Sequence, residues 1–450
     1  MRLLVTLACM TVLGAGQSRK PNIIFILADD LGYGDLGCYG QKQIQTPHLD
    51  RMAAEGTRFT QFYAGSTVCA PSRCVLMTGM HTGHAYIRGN AKVDLRPEDV
   101  TVARVLKEAG YATGLAGKWG LGHERSTGVP TKQGFDFFFG YLDQTHAHNY
   151  WPTFLNRNEE RVKLRNVVPN EGAVGQGVAS ERVDYSHDLI AREALGFIEA
   201  NAKRPFFLYA AFTLPHANNE AGKKGMEIPD TGPYKEKDWP EPEKGRAAMI
   251  TRLDHDVGLI LKKLRDLGID DDTIVFFSSD NGPHKEGGSD PEFFDSNGPL
   301  RGTKRDLTDG GIRVPLLARW PGKVKVGAAS AHVWGMVDFL ATAAELGGAK
   351  APATDGLSMV PALLGQEAKS QEFLYWEFHE RGFQQAIRAG NWKGVRLGLD
   401  QPLELYDLKS DVSEKANVAE QHAEVVARLE RLLKGARVDS ERWPVRKKGK

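Results

Sequence analysis

The sequence predicts an α/β fold: a large, mainly parallel sheet flanked by helices, with a small antiparallel subdomain at the C-terminal end. Three observations predict it. Short apolar runs without polar alternation recur at 21–28, 205–212 and 272–279, and strands apolar on both faces belong to parallel sheets covered by helices. Amphipathic helical stretches alternate with such strands from residue 21 to about residue 345. Beyond a Gly- and Ala-rich stretch at 346–356 the strands become short and hairpin-like.

The elements follow in order. The strand at 21–28 ends in Asp29-Asp30, followed by Leu31-Gly32-Tyr33-Gly34. Two carboxylates at the end of a buried strand are costly unless a cation meets them. Thr46-Pro47 opens a helix through Leu49 and Met52 that stops at Gly56. Thr67 and Val68 read as extended, and Pro71 suits a first helical position, where its missing N–H is no loss. A helix at 100–109 ends at Gly110, and a strand at 111–116 leads into Gly117-Lys118-Trp119-Gly120-Leu121-Gly122-His123. Residues 124–182, rich in Gly, Asn, Pro and aromatics, read as long active-site loops carrying His146, His148 and Trp151.

Helix returns at 184–202, and the strand at 205–212 ends in Thr213-Leu214-Pro215-His216. Residues 217–242 read as a polar surface loop. The helix at 244–267 carries the apolar stripe Leu253, Val257, Ile260, Leu261 and Leu264. The strand at 272–279 ends in Asp280-Asn281-Gly282. After the boundary come strands at 372–378, 384–389, 391–396 and 402–407, a helix at 418–435, and a solvated tail ending Lys447-Lys448-Gly449-Lys450. The expected organisation is a signal peptide at 1–16, a catalytic domain at 20–345 and a small α+β subdomain at 346–450.

Composition narrows the function classes. The chain has 450 residues, 41% hydrophobic and 26% charged, with a net charge of +1. That balance supports a large core, and it points to neither nucleic acid nor an anionic membrane as partner. Attraction to an acidic substrate must then be local. Arg2, the apolar run 3–13 and Gly14-Ala15-Gly16 have the form of a signal peptide. The run is too short to be retained as a membrane span, and no later stretch could be one. The expected location is an exported one: periplasmic, secreted or lysosome-like. Cys9 lies inside the leader, leaving Cys38, Cys69 and Cys74. Cys38 and Cys74 either pair or stay free; the fold is not disulfide-built.

The polar groups point to one site. Asp29-Asp30, Lys118, His216 and Asp280-Asn281 each follow a predicted strand, and parallel strands bring such ends to one edge, where ligands bind. Three carboxylates and an amide oxygen suit Ca²⁺ or Mg²⁺ rather than zinc; taken singly, each Asp is an ordinary cap or turn residue. Cys69 stands at the mouth of a helix with Arg73 four residues on. A helix N-terminus attracts anions and lowers a thiol's pKa, so the pair suggests attack on an oxyanion. Cys69 alone reads first as a buried structural thiol beside an ordinary Arg. Lys118 sits in an apolar, Gly-rich turn. Lys304 closes Gly298-Pro299-Leu300-Arg301-Gly302-Thr303-Lys304, with Arg301 and Arg305 as neighbouring cations.

The string Cys69-Ala70-Pro71-Ser72-Arg73, continuing to Leu76-Met77-Thr78-Gly79, resembles the signature of the type I, formylglycine-dependent sulfatases. The resemblance is to the arylsulfatase A-like branch, within the alkaline phosphatase superfamily, and it extends over about residues 20–410. It implies that Cys69 is oxidised to Cα-formylglycine by a formylglycine-generating (sulfatase-maturing) enzyme. It implies a divalent cation, Ca²⁺ before Mg²⁺, held by Asp29, Asp30, residue 69, Asp280 and Asn281. In the implied mechanism a hydroxyl of the hydrated aldehyde attacks sulfur. Arg73, Lys118 and Lys304 stabilise the sulfuryl oxygens, His216 protonates the leaving oxygen, and the second hydroxyl expels sulfate. The implied substrate is a sulfated small molecule or saccharide, with sulfated glycans expected. The sequence departs from the family pattern at Gly120, where many members carry His; His123, His146 and His148 are the candidates to replace it. The rival functions are a phosphate or phosphonate monoester hydrolase of the same superfamily and an inactive relative that binds a sulfated ligand.

Overall fold

The computed structural model describes residues 20–445, so the expected signal peptide and the last five residues lie outside the described residues. Fifteen strands form two sheets among the described residues. Those of the large sheet are β1 (Asn22–Ala28), β2 (Thr57–Tyr63), β3 (Ala112–Lys118), β4 (Phe137–Tyr141), β5 (Phe154–Arg157), β6 (Glu160–Lys163), β7 (Phe206–Ala211), β8 (Thr273–Ser279), β9 (Arg313–Arg319), β10 (Ala328–Ser330) and β11 (Trp334–Gly335). Their spatial order is β10-β2-β9-β8-β1-β7-β3-β4-β5-β6, with β11 beside β2. The central run β8-β1-β7-β3-β4 is parallel throughout. Antiparallel strands flank it: β9 on one side, and β5 with β6 on the other.

The apolar runs explain the centre of the sheet. Every residue of β1 is buried, with Ile23, Phe25 and Leu27 in one core and Ile24, Ile26 and Ala28 in the other. Each large side chain removed from water this way contributes roughly 1.5–3 kcal/mol. Helices α1 (Pro47–Ala54), α4 (Ser186–Asn201) and α5 (Glu241–Asp266) cover one face; α2 (Cys69–Thr78), α3 (Val102–Glu108) and α7 (Phe339–Leu346) cover the other. Two short helical turns, α6 (Asp309–Ile312) and α8 (Val360–Leu363), complete this part.

Two expectations need correction, and one strand was not anticipated. Residues 124–182 are not only loops, because β4, β5 and β6 lie inside them; the Phe137-Phe138-Phe139 run that starts β4 pairs in parallel with β3. The segment around Pro315 is a buried strand, β9. A proline has no N–H to give the ladder, and here β2 is bulged between Phe59 and Phe62, opposite Pro315. Helix α2 starts at Cys69 rather than at Pro71, with Val68 extended before it. The first turn of a helix has free N–H groups anyway, so Pro71 fits as its third residue.

The second sheet is antiparallel, in the order β12 (Leu374–Phe378), β13 (Gln384–Ala389), β14 (Trp392–Arg396) and β15 (Glu404–Asp407). Helix α9 (Ala423–Gly435) packs Leu429 and Leu433 onto Ile387 and Leu405 of this sheet. Cys38, Cys69 and Cys74 are all free thiols.

Candidate active site

Consecutive parallel strands bring the ends of β8, β1, β7 and β3 side by side, and the loops that follow are stitched together. Asp29 N–H donates to Leu214 O at 3.1 Å, Asp280 N–H to Ala28 O at 3.1 Å, and Asp30 N–H to Asp280 Oδ1 at 3.1 Å. Asp30 has a left-handed backbone, with φ 64°, a conformation that Asp tolerates better than most side chains. The result is a fully buried group of Asp29, Asp30, Asp280 and Asn281.

Cys69 opens α2 directly above this group, its thiol 3.4 Å from Asp29 Oδ1. Asn90 Oδ1 accepts the Ala70 N–H at 2.9 Å and so satisfies one free donor of the helix start. Burial and the Asp29 carboxylate push the Cys69 thiol well above its ordinary range. This reverses the lowering expected from the helix N-terminus, because desolvation and a neighbouring anion outweigh a partial positive charge.

Arg73 is buried on the same helix and faces the carboxylates. Its Nε and Nη2 donate to Asp280 Oδ2 at 3.0 and 2.8 Å, its Nη1 donates to Lys118 O at 2.9 Å, and Nη2 lies 3.4 Å from Asp29 Oδ2. Lys118 Nζ donates to Asp29 Oδ2 at 2.8 Å. Lys304 Nζ donates to Asp30 Oδ2 at 2.8 Å and to Glu286 Oε2 at 3.2 Å. Burial works against both ammonium charges, but Asp29 and Asp30 more than offset it and both pKa values are raised.

His216 lies where β7 ends. Its Nδ1 is 2.7 Å from Ala217 O, which places a proton on Nδ1; Nε2 then faces Lys304 Nζ at 3.2 Å and Asp30 Oδ2 at 3.5 Å. Burial, then Lys304, holds the ring down to about 3, so it is neutral in this arrangement.

A cavity of about 220 Å³ opens onto Cys69, Lys118, His216 and Lys304. The three candidate histidines separate here. His123 lines the cavity, but both ring nitrogens meet carboxylates, Nδ1 to Asp94 at 2.7 Å and Nε2 to Asp143 at 3.2 Å. His148 also lines it, with Nδ1 3.1 Å from Glu220 Oε2 and its ring stacked 5.1 Å from that of His216. His146 is buried between Tyr141 and Phe154, away from the cavity, where burial lowers its pKa to about 4.

Sequence reasoning missed Glu286, Asn90, Glu220 and Gln144. Glu286 carried one usable signal, standing five residues past Asn281 in the loop after β8; the others reach the site only through tertiary contacts. The loop bearing Lys304 is clamped from outside by the second sheet and its flanks. Arg305 pairs with Glu380 at 3.0 Å, Asp306 with Arg381 at 3.2 Å, and the Asp309 N–H donates to Glu414 Oε2 at 2.6 Å.

The donor set fits a hard cation. Asn281 Nδ2 donates to Asp30 Oδ1 at 2.6 Å and to Gly282 O at 2.9 Å, while its Oδ1 is buried without a partner. Donor atoms of Asp29, Asp30, Cys69 and His216 lie within 4.8 Å of one another. Carboxylates converging with an unsatisfied amide oxygen are what Ca²⁺ or Mg²⁺ requires.

The family model described as Sulfatase matches residues 21–349, and that described as N-sulphoglucosamine sulphohydrolase, C-terminal, matches residues 302–439. The chain is 34% identical to an N-acetylgalactosamine-6-O-sulfatase of Bacteroides thetaiotaomicron, across 94% of both chains. It is 32% identical to human arylsulfatase A, across 90% of this chain and 84% of that one. The crystal structure of Ps i-CgsB in complex with k-i-k-neocarrahexaose superposes with a TM-score of 0.81 at 29% identity, covering 95% of each chain. A match over most of the chain, on a fold that gathers the signature cysteine with strand-end carboxylates and lysines, makes one conclusion firm: the chain belongs to the sulfatase family, as a type I sulfatase of the alkaline phosphatase superfamily.

Proposed function

We propose that this sulfatase removes sulfate from sulfated saccharides, using residue 69 as nucleophile after its conversion to Cα-formylglycine by a sulfatase-maturing enzyme. The observation that carries this reading is the convergence of Asp29, Asp30, Asp280 and Asn281 on Cys69, beside a cavity that also holds Lys118, His216 and Lys304. The relatives' names support the saccharide: one is an N-acetylgalactosamine-6-O-sulfatase, and one solved structure holds a neocarrahexaose.

The hydrated aldehyde supplies the hydroxyl that attacks sulfur. Ca²⁺, ahead of Mg²⁺, would be held by Asp29, Asp30, residue 69, Asp280 and Asn281, and supplies Lewis acidity there when bound. Lys118 and Lys304 turn N–H donors to the sulfate oxygens, which carry more charge in the transition state. Arg73, its fork spent on Asp280, Asp29 and the Lys118 carbonyl, holds the ligand carboxylates rather than the sulfate. His216 gives the leaving oxygen its proton from Nε2. Residues 20–345 form the catalytic unit and 346–450 the smaller one, whose Glu380, Arg381 and Glu414 clamp the Lys304 loop. Residues 1–16 direct export to a periplasmic, secreted or lysosome-like compartment. No helix among the described residues is long and apolar enough to cross a membrane.

The test is sulfate release by the full chain, matured by a coexpressed formylglycine-generating enzyme, from defined saccharides including 6-O-sulfated N-acetylgalactosamine. Phosphate and phosphonate monoesters run beside them. Higher kcat/KM on the phosphorus esters, or an unmodified thiol at position 69 in protein from its own host, overturns the reading.

A further inference from the structure

Gln144 lines the cavity beside Lys118 and the nucleophile position, and the function above gives it nothing to do. Its terminal Nε2 is buried without an acceptor. A buried amide N–H without an acceptor costs free energy, commonly on the order of 1–3 kcal/mol in proteins. The group lies against Gly120, whose φ is +74°, and a Cβ built on Gly120 would come within 2.3 Å of Nε2. Gly120 and Gln144 are therefore a matched pair, and the bare Cα leaves the space the amide fills.

The backbone around the pair is fixed. Trp119 N–H donates to Tyr141 O at 2.9 Å and Gly120 N–H to Leu142 O at 3.0 Å, so the segment after β4 runs beside the segment after β3. On either side of Gln144, Asp143 Oδ1 accepts the Thr145 N–H at 2.7 Å and Asp143 Oδ2 meets His123 Nε2 at 3.2 Å. The Gln144 side chain is left to move on this fixed backbone. Its last torsion is broad and roughly two-fold, so a turn of the amide exchanges Nε2 with Oε1 and takes the donor off Gly120.

We infer that Gln144 is a substrate-binding residue that donates from Nε2 to an oxygen of the sulfate group held at position 69. The inference rests on the sulfatase reading and adds a neutral donor to the two ammonium groups. An amide does not titrate, so it binds the anion equally at every working pH. The cavity's other groups explain why the ligand is the sulfate: Lys118 and Lys304 already draw an anion to that end.

The test uses the matured, metal-loaded enzyme and inorganic sulfate as probe. Gln144→Ala raises the sulfate inhibition constant by roughly tenfold, in the range for a hydrogen bond to a charged group, and Gln144→Glu, of the same shape but anionic, raises it further. kcat/KM falls by one common factor on nitrophenyl sulfate and on a sulfated saccharide, with the melting temperature of the Gln144 variants unchanged. An unchanged inhibition constant overturns the inference. So does a loss confined to the saccharide, which would place Gln144 on the sugar. Wild-type enzyme that neither hydrolyses nitrophenyl sulfate nor binds sulfate overturns the sulfatase reading itself, and this inference with it.

Discussion

Lys393, fully buried on β14 of the small sheet, lies 2.7 Å from Asp309 Oδ1 at the start of α6, which leads into β9 of the large one. Glu414 stands 3.5 Å from the same ammonium, and Arg313 3.4 Å from Asp309 Oδ2. This buried network anchors the chain five residues beyond Lys304. Lys393→Met leaves Asp309 and Glu414 short of positive charge, and breaking a buried pair this way costs about 3–5 kcal/mol. Denaturant unfolding should show that loss, together with a raised KM as the Lys304 loop loosens. The pair also sets an acid limit. Burial pushes the Asp309 carboxyl up, but Lys393, Arg313 and Arg388 outweigh it and hold the carboxyl below its ordinary value. A depressed pKa gives stability that is present above the ordinary carboxylate range and lost as pH falls through the folded value. Stability measured from pH 6 down to pH 2 should fall along that slope, and Asp309→Asn should flatten it. A parallel slope in the variant would assign the acid loss elsewhere.

Cys69→Ala should abolish turnover and keep the fold. The thiol's neighbours are Asp29 and the first turn of α2, whose helix ends normally at Gly79 with a left-handed cap (φ 65°). Removing one sulfur there disturbs little packing. Sulfate release at background with near-wild-type circular dichroism is the expected pair of results; Cys69→Ser should be equally inactive unless the host can oxidise serine there. Activity within a few-fold of wild type would sink the nucleophile assignment.

What the sequence made legible was the sheet edge. Asp29-Asp30, Lys118, His216 and Asp280-Asn281 each follow a buried apolar run, and the rule that parallel strands share an edge brings them together without any contact being known. The four hairpin strands near the end were readable by the same kind of pattern. Side-chain aim was not. Arg73 looks like a ligand for the substrate's anion until Asp280 and Asp29, far away in sequence, take its donors. The thiol's electrostatics failed similarly, because helix position is a local property and burial beside Asp29 is not. Strand β9 carries Pro315, which is tolerable because it lies opposite a bulge on β2. Gln144 and Gly120 are separated in sequence by 24 positions, and nothing local marks either as the other's partner.

Asp280→Ala should lose both the cation and activity. It removes one ligand and strands the Arg73 guanidinium, which now donates to Asp280 Oδ2 through two nitrogens. Some stability should go too, roughly 3–5 kcal/mol if the charge is left fully unpaired. Chelation of the wild-type protein followed by Ca²⁺ should lower and then restore the melting temperature, since a ligand bound only by the folded state stabilises it. Asp280→Ala should show no such response. Stoichiometric zinc in the active enzyme would contradict the oxygen cage.

The last prediction concerns the leaving group's proton. The Nδ1–H of His216 is committed to Ala217 O, so any proton it gives must leave from Nε2, the atom 3.2 Å from Lys304 Nζ. In the arrangement described here the ring is neutral and Nε2 accepts from that ammonium. Lys304 therefore orients the ring through Nε2, and the two should act as a unit. A general acid contributes roughly 10²–10⁴-fold where the leaving oxygen needs a proton. A sugar alkoxide needs one and nitrophenolate hardly does. His216→Ala should thus depress hydrolysis of a sugar sulfate far more than that of nitrophenyl sulfate. Lys304→Met should show the same bias on top of a loss of sulfate binding common to both substrates, and the double variant should add little to the bias. Equal losses on both substrates in His216→Ala would mean that the ring only positions sulfate. The acid would then be sought at His148, which stacks on His216 and is oriented by Glu220. His123 has both nitrogens on carboxylates and His146 is buried among aromatics, so neither is placed to take that role.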